Sequence, residues 1–205
     1  ALKNSQKFLG KPKIAYDARK GIEPAGAKGI YILNVIRNER GKLVIENILK
    51  KSKPAQINKY KMKTIKGVVD KEFVYPVISG RHISKWGFKH EYYILSPHPN
   101  DLSKPTEIQY GVPEEKLKVN YKDTYKWLYK FKDTLLETRI INHLAFETGK
   151  EKKEKAMKLF KKGRYSPPYP FYILQNVGPY AYSKFKVVWK EQSKEMMCAV
   201  ISTLS

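Results

Sequence analysis

A single cysteine, Cys198, stands in a chain of 205 residues. One thiol cannot close a disulfide within the chain or build a site of several thiolates, and this scarcity suits a reducing compartment. No apolar run approaches the length of a membrane-spanning helix, and no secretion signal opens the sequence. Signatures of nucleotide and zinc chemistry are also missing: there is no HExxH, no GxGxxG and no GxxxxGK[ST]. His82, His90, His98 and His143 follow no ligand spacing with nearby carboxylates. Acid is in short supply, with 19 Asp and Glu against 41 Lys and Arg. Arginine is scarcer still, occurring only at positions 19, 37, 40, 81, 139 and 164.

What is present is a formal net charge of +22 on a chain that is 41% hydrophobic and 13% aromatic. That apolar content builds a core, so the chain is one sizeable domain or two small lobes, not a disordered basic tail. A folded body with such an excess repels itself, and a polyanion relieves the repulsion through counterion release. Nucleic acid is therefore the partner expected first. An anionic membrane surface ranks below it, since no basic amphipathic helix with a Trp/Phe/Leu face is visible. Lysine, a hydrated point charge, suits phosphate, whereas arginine more often reads bases. Most basic residues are thus expected to supply affinity and position.

Along the chain, residues 1–28 read as a basic linker and leading loop, and 29–205 as one domain. Gly29 to Ile36 and Leu43-Val44-Ile45 suit two strands joined by the turn Asn38-Glu39-Arg40-Gly41. Gly67–Asp70, Phe73–Ile78 and Tyr92–Leu95 read as further strands. From Tyr121 the period changes: Tyr125, Leu128, Phe131, Leu135, Leu136, Ile140 and Leu144 mark a long amphipathic helix that Gly149 can end. Lys150 to Lys162, with Glu151–Lys155 and Glu154–Lys158 pairs, reads as a second, basic helix whose charges face solvent. Phe171–Val177 and Phe185–Trp189 return to strand-like runs. The order predicts an α+β fold with a mixed or antiparallel sheet. The chain opens at Ala1 and ends in an apolar run over Met196–Ile201, which reads as a piece of a longer protein.

Two short motifs invite a catalytic reading. Glu114-Glu115-Lys116 has the form of metal-dependent nuclease ligands, but chance supplies such tripeptides in a chain rich in Lys and Glu. Ser166-Pro167-Pro168-Tyr169 has the form of the loop with which amino-methyltransferases grip a flipped base. That loop works beside a strand and Gly-rich turn that hold a cofactor, and neither is found here. The plainer reading is an extended Pro-Pro segment leading to Phe171.

Several segments together resemble one family. Arg19-Lys20-Gly21-Ile22 followed by Gly26-Ala27-Lys28-Gly29-Ile30-Tyr31 looks like the start of the DNA-recognition region of large N6-adenine DNA methyltransferases. Tyr75-Pro76-Val77-Ile78-Ser79-Gly80-Arg81-His82-Ile83, then Trp86, is similar to a second segment of that region, with His82 where the family carries Asp. Thr124–Leu128 with Phe131, Lys132, Leu135 and Arg139 looks like the helix that follows. Pro170-Phe171-Tyr172, Val177-Gly178-Pro179-Tyr180 and Lys186-Val187-Val188-Trp189-Lys190 are similar to the most specific block. The likeness runs from about residue 19 to 201. It implies a TaqI-like target-recognition domain of a type IIG or related restriction–modification enzyme. It further implies double-stranded DNA as partner, a prokaryotic, cytoplasmic and nucleoid-associated setting, and a covalently linked methyltransferase domain that holds the S-adenosylmethionine. No cofactor, catalytic residue or metal is then expected within these residues. A basic RNA-binding or ribosome-associated protein is the alternative, although no RNP-type aromatic motif or GXXG clamp appears.

The residues expected to meet DNA are Arg19, Lys20, Arg81, Lys85, Tyr182, Lys184 and Lys186. Arg19 and Lys20 sit in a Gly-flanked loop, which is otherwise a solvated one. Arg81 is placed to read guanine, or else to pair with Asp70 or Glu72. Tyr182, Lys184 and Lys186 flank a predicted strand, so only one face of it can meet DNA. Trp86 is expected in the core, with a stacking platform as the alternative, and Trp189 is expected in the core.

Overall fold

The computed structural model describes residues 19–24, 26–49, 63–142, 154–155, 158–159, 161–162, 169–190 and 194–202. The linker up to residue 18, Leu144, Gly149, most of the expected basic helix and Ser166-Pro167-Pro168 lie outside them.

A short helical turn, α1 (Lys28–Tyr31), leads into β1 (Ile32–Glu39) and β2 (Lys42–Asn47). Apolar residues thus start the expected strand in helical form, because Ala27 accepts from the Ile30 amide 2.9 Å away. The hairpin turn is Arg40-Gly41: Glu39 pairs with Lys42, and both turn residues have positive φ, 47° and 81°. This is a type I′ turn, whose hand matches the strand twist and whose second position glycine fills without strain. Arg40 tolerates the left-handed region poorly. Arg40→Asn is therefore expected to stabilise the protein by about 0.5–1 kcal/mol, read as a higher urea midpoint with unchanged m-value.

Strands β3 (Lys66–Asp70), β4 (Val74–Val77) and β7 (Tyr92–Leu95) complete a sheet of order β3-β2-β1-β7-β4, antiparallel throughout. Two ribbons stand apart from it: β5 (Ile83–Ser84) with β6 (Gly87–Phe88), and β8 (Phe185–Trp189) with β9 (Cys198–Ser202). The architecture is α+β with antiparallel sheets, as the element order predicts.

The helices are α2 (Pro105–Tyr110), α3 (Glu114–Asn120), α4 (Lys122–Tyr129) and α5 (Lys132–Asn142). The expected long helix is thus broken after Tyr129, where the Phe131 amide bonds the Leu128 carbonyl at 3.0 Å. The apolar spacing continues across this tightened turn, so periodicity does not reveal it. Helix α4 lies on β3. Thr124 donates to Asp70 at 2.8 Å through its hydroxyl and accepts from the Asp70 amide at 2.9 Å, while Lys42 reaches Asp123. Trp127 fills the space over Gly67, where a Cβ would stand only 2.6 Å from the indole Cε3.

Buried Asn47 accepts from the Ile65 amide at 2.7 Å and donates to the Gly29 and Lys63 carbonyls, each at 3.1 Å. It thereby joins α1 to the approach to β3. The expected strand at Phe171–Val177 is absent; its backbone instead turns, with one isolated bridge between Glu23 and Gln175. Phe171, Tyr172, Ile173 and Leu174 are all buried. A β-branched and aromatic run reads as a strand, but here burial on every side is met without a ladder.

Candidate nucleic-acid interface

The seven expected contact residues come from three stretches of chain that share one set of contacts. Lys20 pairs with Glu23 at 2.7 Å, and the Glu23–Gln175 bridge anchors this leading segment. The Arg19 guanidinium lies 5.8 Å from the Tyr180 ring centroid, and the Tyr180 hydroxyl donates to the Lys20 carbonyl at 3.4 Å. Tyr180 belongs to the 3-10 turn Pro179–Tyr182, which feeds directly into β8. The loop thus packs through its cation against an aromatic face, an arrangement worth about 0.5–1 kcal/mol at an exposed site.

The alternation of side chains along β8 sets Lys186 apart from the aromatic positions, and Lys184 stands just before the strand. Lys184 is exposed, with its ammonium 5.7 Å from the Phe185 ring. Lys186 turns inward, donates to the Ala181 carbonyl, and has its pKa lowered by burial. Tyr182 is half-buried: its hydroxyl donates to the His98 carbonyl at 3.1 Å and lies 3.2 Å from Ser96 Oγ, and its ring meets Tyr75 edge-on at 5.2 Å. Burial pushes its phenol up to about 12. Lys186 and Tyr182 therefore fasten the base of the ribbon, and Lys184 is the member of the three that faces solvent.

The segment that carries Arg81 and Lys85 also contacts this ribbon. Gly80 lies against the stem of Lys190, at 3.6 Å from its Cγ to a Cβ built there, and the Trp86 amide bonds the Cys198 carbonyl at 3.0 Å. Arg81 pairs neither with Asp70 nor with Glu72. Its partner is Glu91, at 3.9 Å, and its guanidinium lies 5.9 Å from the Tyr92 ring centroid. His82, standing where the resembled segment carries Asp, holds Glu91 at 2.8 Å through Nε2. The Tyr92 hydroxyl, then His82 and Arg81, hold the Glu91 carboxyl below its ordinary value. Ser79 and His82 form a reciprocal capping box on the Gly80–His82 turn. A Ser, a His and an acid in contact suggest a nucleophilic relay, but the Ser79 oxygen serves the His82 amide and lies 3.4 Å from Nδ1. The cluster orients Arg81. Lys85 is exposed and has no ion pair among the described residues.

Both tryptophans expected in the core are at the surface: Trp86 is 78% exposed and Trp189 44%. Trp86 stands in the two-residue turn between β5 and β6, and the β8–β9 ribbon explains Trp189. Its inward positions are Lys186, Val188, Ala199 and Ile201, so the odd-numbered residues of β8 face out. The expected core role falls instead to Trp127, which is 1% exposed. Sequence reasoning also missed β9, whose apolar run reads as an ending, and the buried His98. Here Nδ1–H donates to the Ile108 carbonyl at 2.8 Å, and Nε2 accepts from the Leu174 amide at 2.9 Å.

Other chemistry finds structural use. Lys116 reaches Glu107 at 3.0 Å, Glu114 accepts from Tyr125 at 2.9 Å and Glu115 accepts from Lys118 at 2.9 Å, so all three members of Glu114-Glu115-Lys116 serve the helices. Tyr169 stacks on Tyr110 with centroids 5.2 Å apart. Among the described residues no group of three or more His, Cys, Asp and Glu is disposed to hold a metal, and no helix is long and apolar enough to cross a membrane. Comparison with protein-family models, with curated proteins and with solved structures finds no match to this chain.

Proposed function

We propose that the chain is a recognition module for duplex DNA that positions a covalently linked adenine-N6 methyltransferase domain, as in restriction–modification enzymes. The observation that carries this reading is the convergence of Arg19, Lys20, Arg81, Lys85 and Lys184 on one ribbon and its neighbours, in a chain of net charge +22. Lysines at the surface neutralise phosphates and fix register, while Arg81, held by Glu91 and His82, has the planar donor fork that suits a guanine edge. In this reading S-adenosylmethionine and the flipped adenine belong to the linked domain.

Fluorescence anisotropy with a labelled duplex, repeated at several salt concentrations, tests this. Binding should be weak, with little sequence preference, and log K should fall linearly with log salt. Each phosphate contact removed should flatten the slope by about 0.9. Lys85→Gln with Lys184→Gln is expected to lower the slope by about 2, with the fold intact because both side chains are exposed. Salt-insensitive binding, or displacement of duplex by structured RNA at equal concentration, would refute the proposal.

A further inference from the structure

The β8–β9 ribbon turns one face inward and leaves the other bare. Phe185, Val187 and Trp189 share the bare face, and the ladder sets Val200 opposite Val187 on it. All four are exposed. The β5–β6 hairpin extends this surface, since its Trp86 amide is bonded to β9 at Cys198. Ser84 pairs with Gly87, so Lys85 and Trp86 are the two turn residues. Trp86 has φ 65°, at the second turn position, where glycine is the favoured residue. For a bulky side chain this is an outlier, and burial does not compensate, because the indole stands mostly in water. A strained residue displayed without packing points to a use for its ring.

The charges on the same elements narrow what covers this face. Lys85, Lys89, Lys184, Lys190 and Lys194 lie within or beside the two ribbons, and Glu195 is the one acid there that Arg81 and His82 do not already engage, among the described residues. A second copy would bring the same excess of positive charge against it. A ligand with flat apolar faces on an anionic backbone meets both features. Duplex DNA hides its base faces in the stack, whereas unpaired bases offer them. We propose that this face binds single-stranded DNA, with bases stacking on Trp86, Phe185 and Trp189 and phosphates running along the lysines. The inference rests on the nucleic-acid reading above and adds a strand-separated substrate to it.

Tryptophan fluorescence gives a direct readout, because the chain's three tryptophans divide into Trp86 and Trp189 at the surface and Trp127 inside. The whole chain is titrated with a mixed-sequence single strand, with the same strand carrying abasic sites, and with the duplex. The base-bearing strand is expected to quench emission and to bind more tightly than the abasic one. Trp86→Gly and Trp189→Ala should each weaken single-strand binding by about 5- to 100-fold while leaving duplex affinity and salt slope unchanged. Trp86→Gly should also hold or raise the thermal midpoint, since it removes the strained φ, whereas a structural tryptophan would lower it. Equal affinity for base-bearing and abasic strands would overturn the inference. So would a dimer in sedimentation that Phe185→Glu disperses. If duplex binding persists in that case, the proposed function stands without it. If duplex binding is absent too, both fall.

Discussion

His98→Ala is expected to destabilise the protein by about 3–5 kcal/mol, a large share of the roughly 5–15 kcal/mol that a domain possesses. The imidazole is fully buried and joins two segments distant in sequence, the Ile108 carbonyl at the end of α2 and the Leu174 amide. Removing it leaves a buried donor and a buried acceptor without partners, at about 1–3 kcal/mol each, and opens a cavity. The neighbourhood has little slack, because Tyr172 donates to Val112 at 2.6 Å and Tyr31 donates to Tyr172 at 2.8 Å within the same buried polar chain. Two further variants separate the bonds. His98→Asn carries an amide near the position of Nδ1 and should recover the bond to Ile108; His98→Gln reaches toward Leu174 instead. Each is expected to restore part of the loss in urea unfolding, and a neutral His98→Ala would remove this account. Tyr182 bonds the His98 backbone, so His98→Ala is also expected to loosen the base of the ribbon and, if the proposed function holds, to weaken the proposed DNA binding indirectly.

Trp127→Ala should cost a comparable amount, about 3–5 kcal/mol, for a different reason. The indole fills the space between α4 and β3, contacts Phe131 edge-on at 5.5 Å, and donates to the Ile30 carbonyl at 3.4 Å. It approaches β3 at Gly67, where a Cβ would meet Cε3 and Cζ3 at 2.6 and 2.8 Å. Gly67→Ala in the native background is therefore expected to lose about 1–3 kcal/mol through overpacking. In the Trp127→Ala background the same methyl enters vacated space, and Gly67→Ala should be neutral or stabilising. The double-mutant cycle is thus expected to show a coupling energy of at least about 1–3 kcal/mol. Additive losses would mean that the two residues do not share this contact.

Much of the fold is legible in the sequence. The turn at Arg40-Gly41, the strands at Gly67–Asp70 and Tyr92–Leu95, and the change to helical spacing near Tyr121 are local signals, written in alternation and in turn chemistry. The places where reading failed share a cause. Phe171–Leu174 is buried without a ladder: His98, 76 residues away along the chain, takes the Leu174 amide, and Glu23, 152 residues away, takes that of the adjoining Gln175. Trp86 and Trp189 carry core-like side chains, yet Trp86 stands in the β5–β6 turn and Trp189 on the face of the β8–β9 ribbon opposite Lys186, Val188, Ala199 and Ile201.

Composition by itself determined the formal net charge, since +22 is a sum that no arrangement of the chain alters. The order of residues determined the β1–β2 hairpin, the strands at Gly67–Asp70 and Tyr92–Leu95 and the helical spacing beyond Tyr121, but not β9, the break after Tyr129 or the irregular run at Phe171–Val177. The tertiary structure decided how the cations are presented: it turned Lys186 inward, set Glu91 beside Arg81 and left Lys85 in water. It likewise decided which aromatic residues face outward. The physical reason is that charge and local period are properties of single segments, whereas burial belongs to pairs of segments that meet only when the chain is folded.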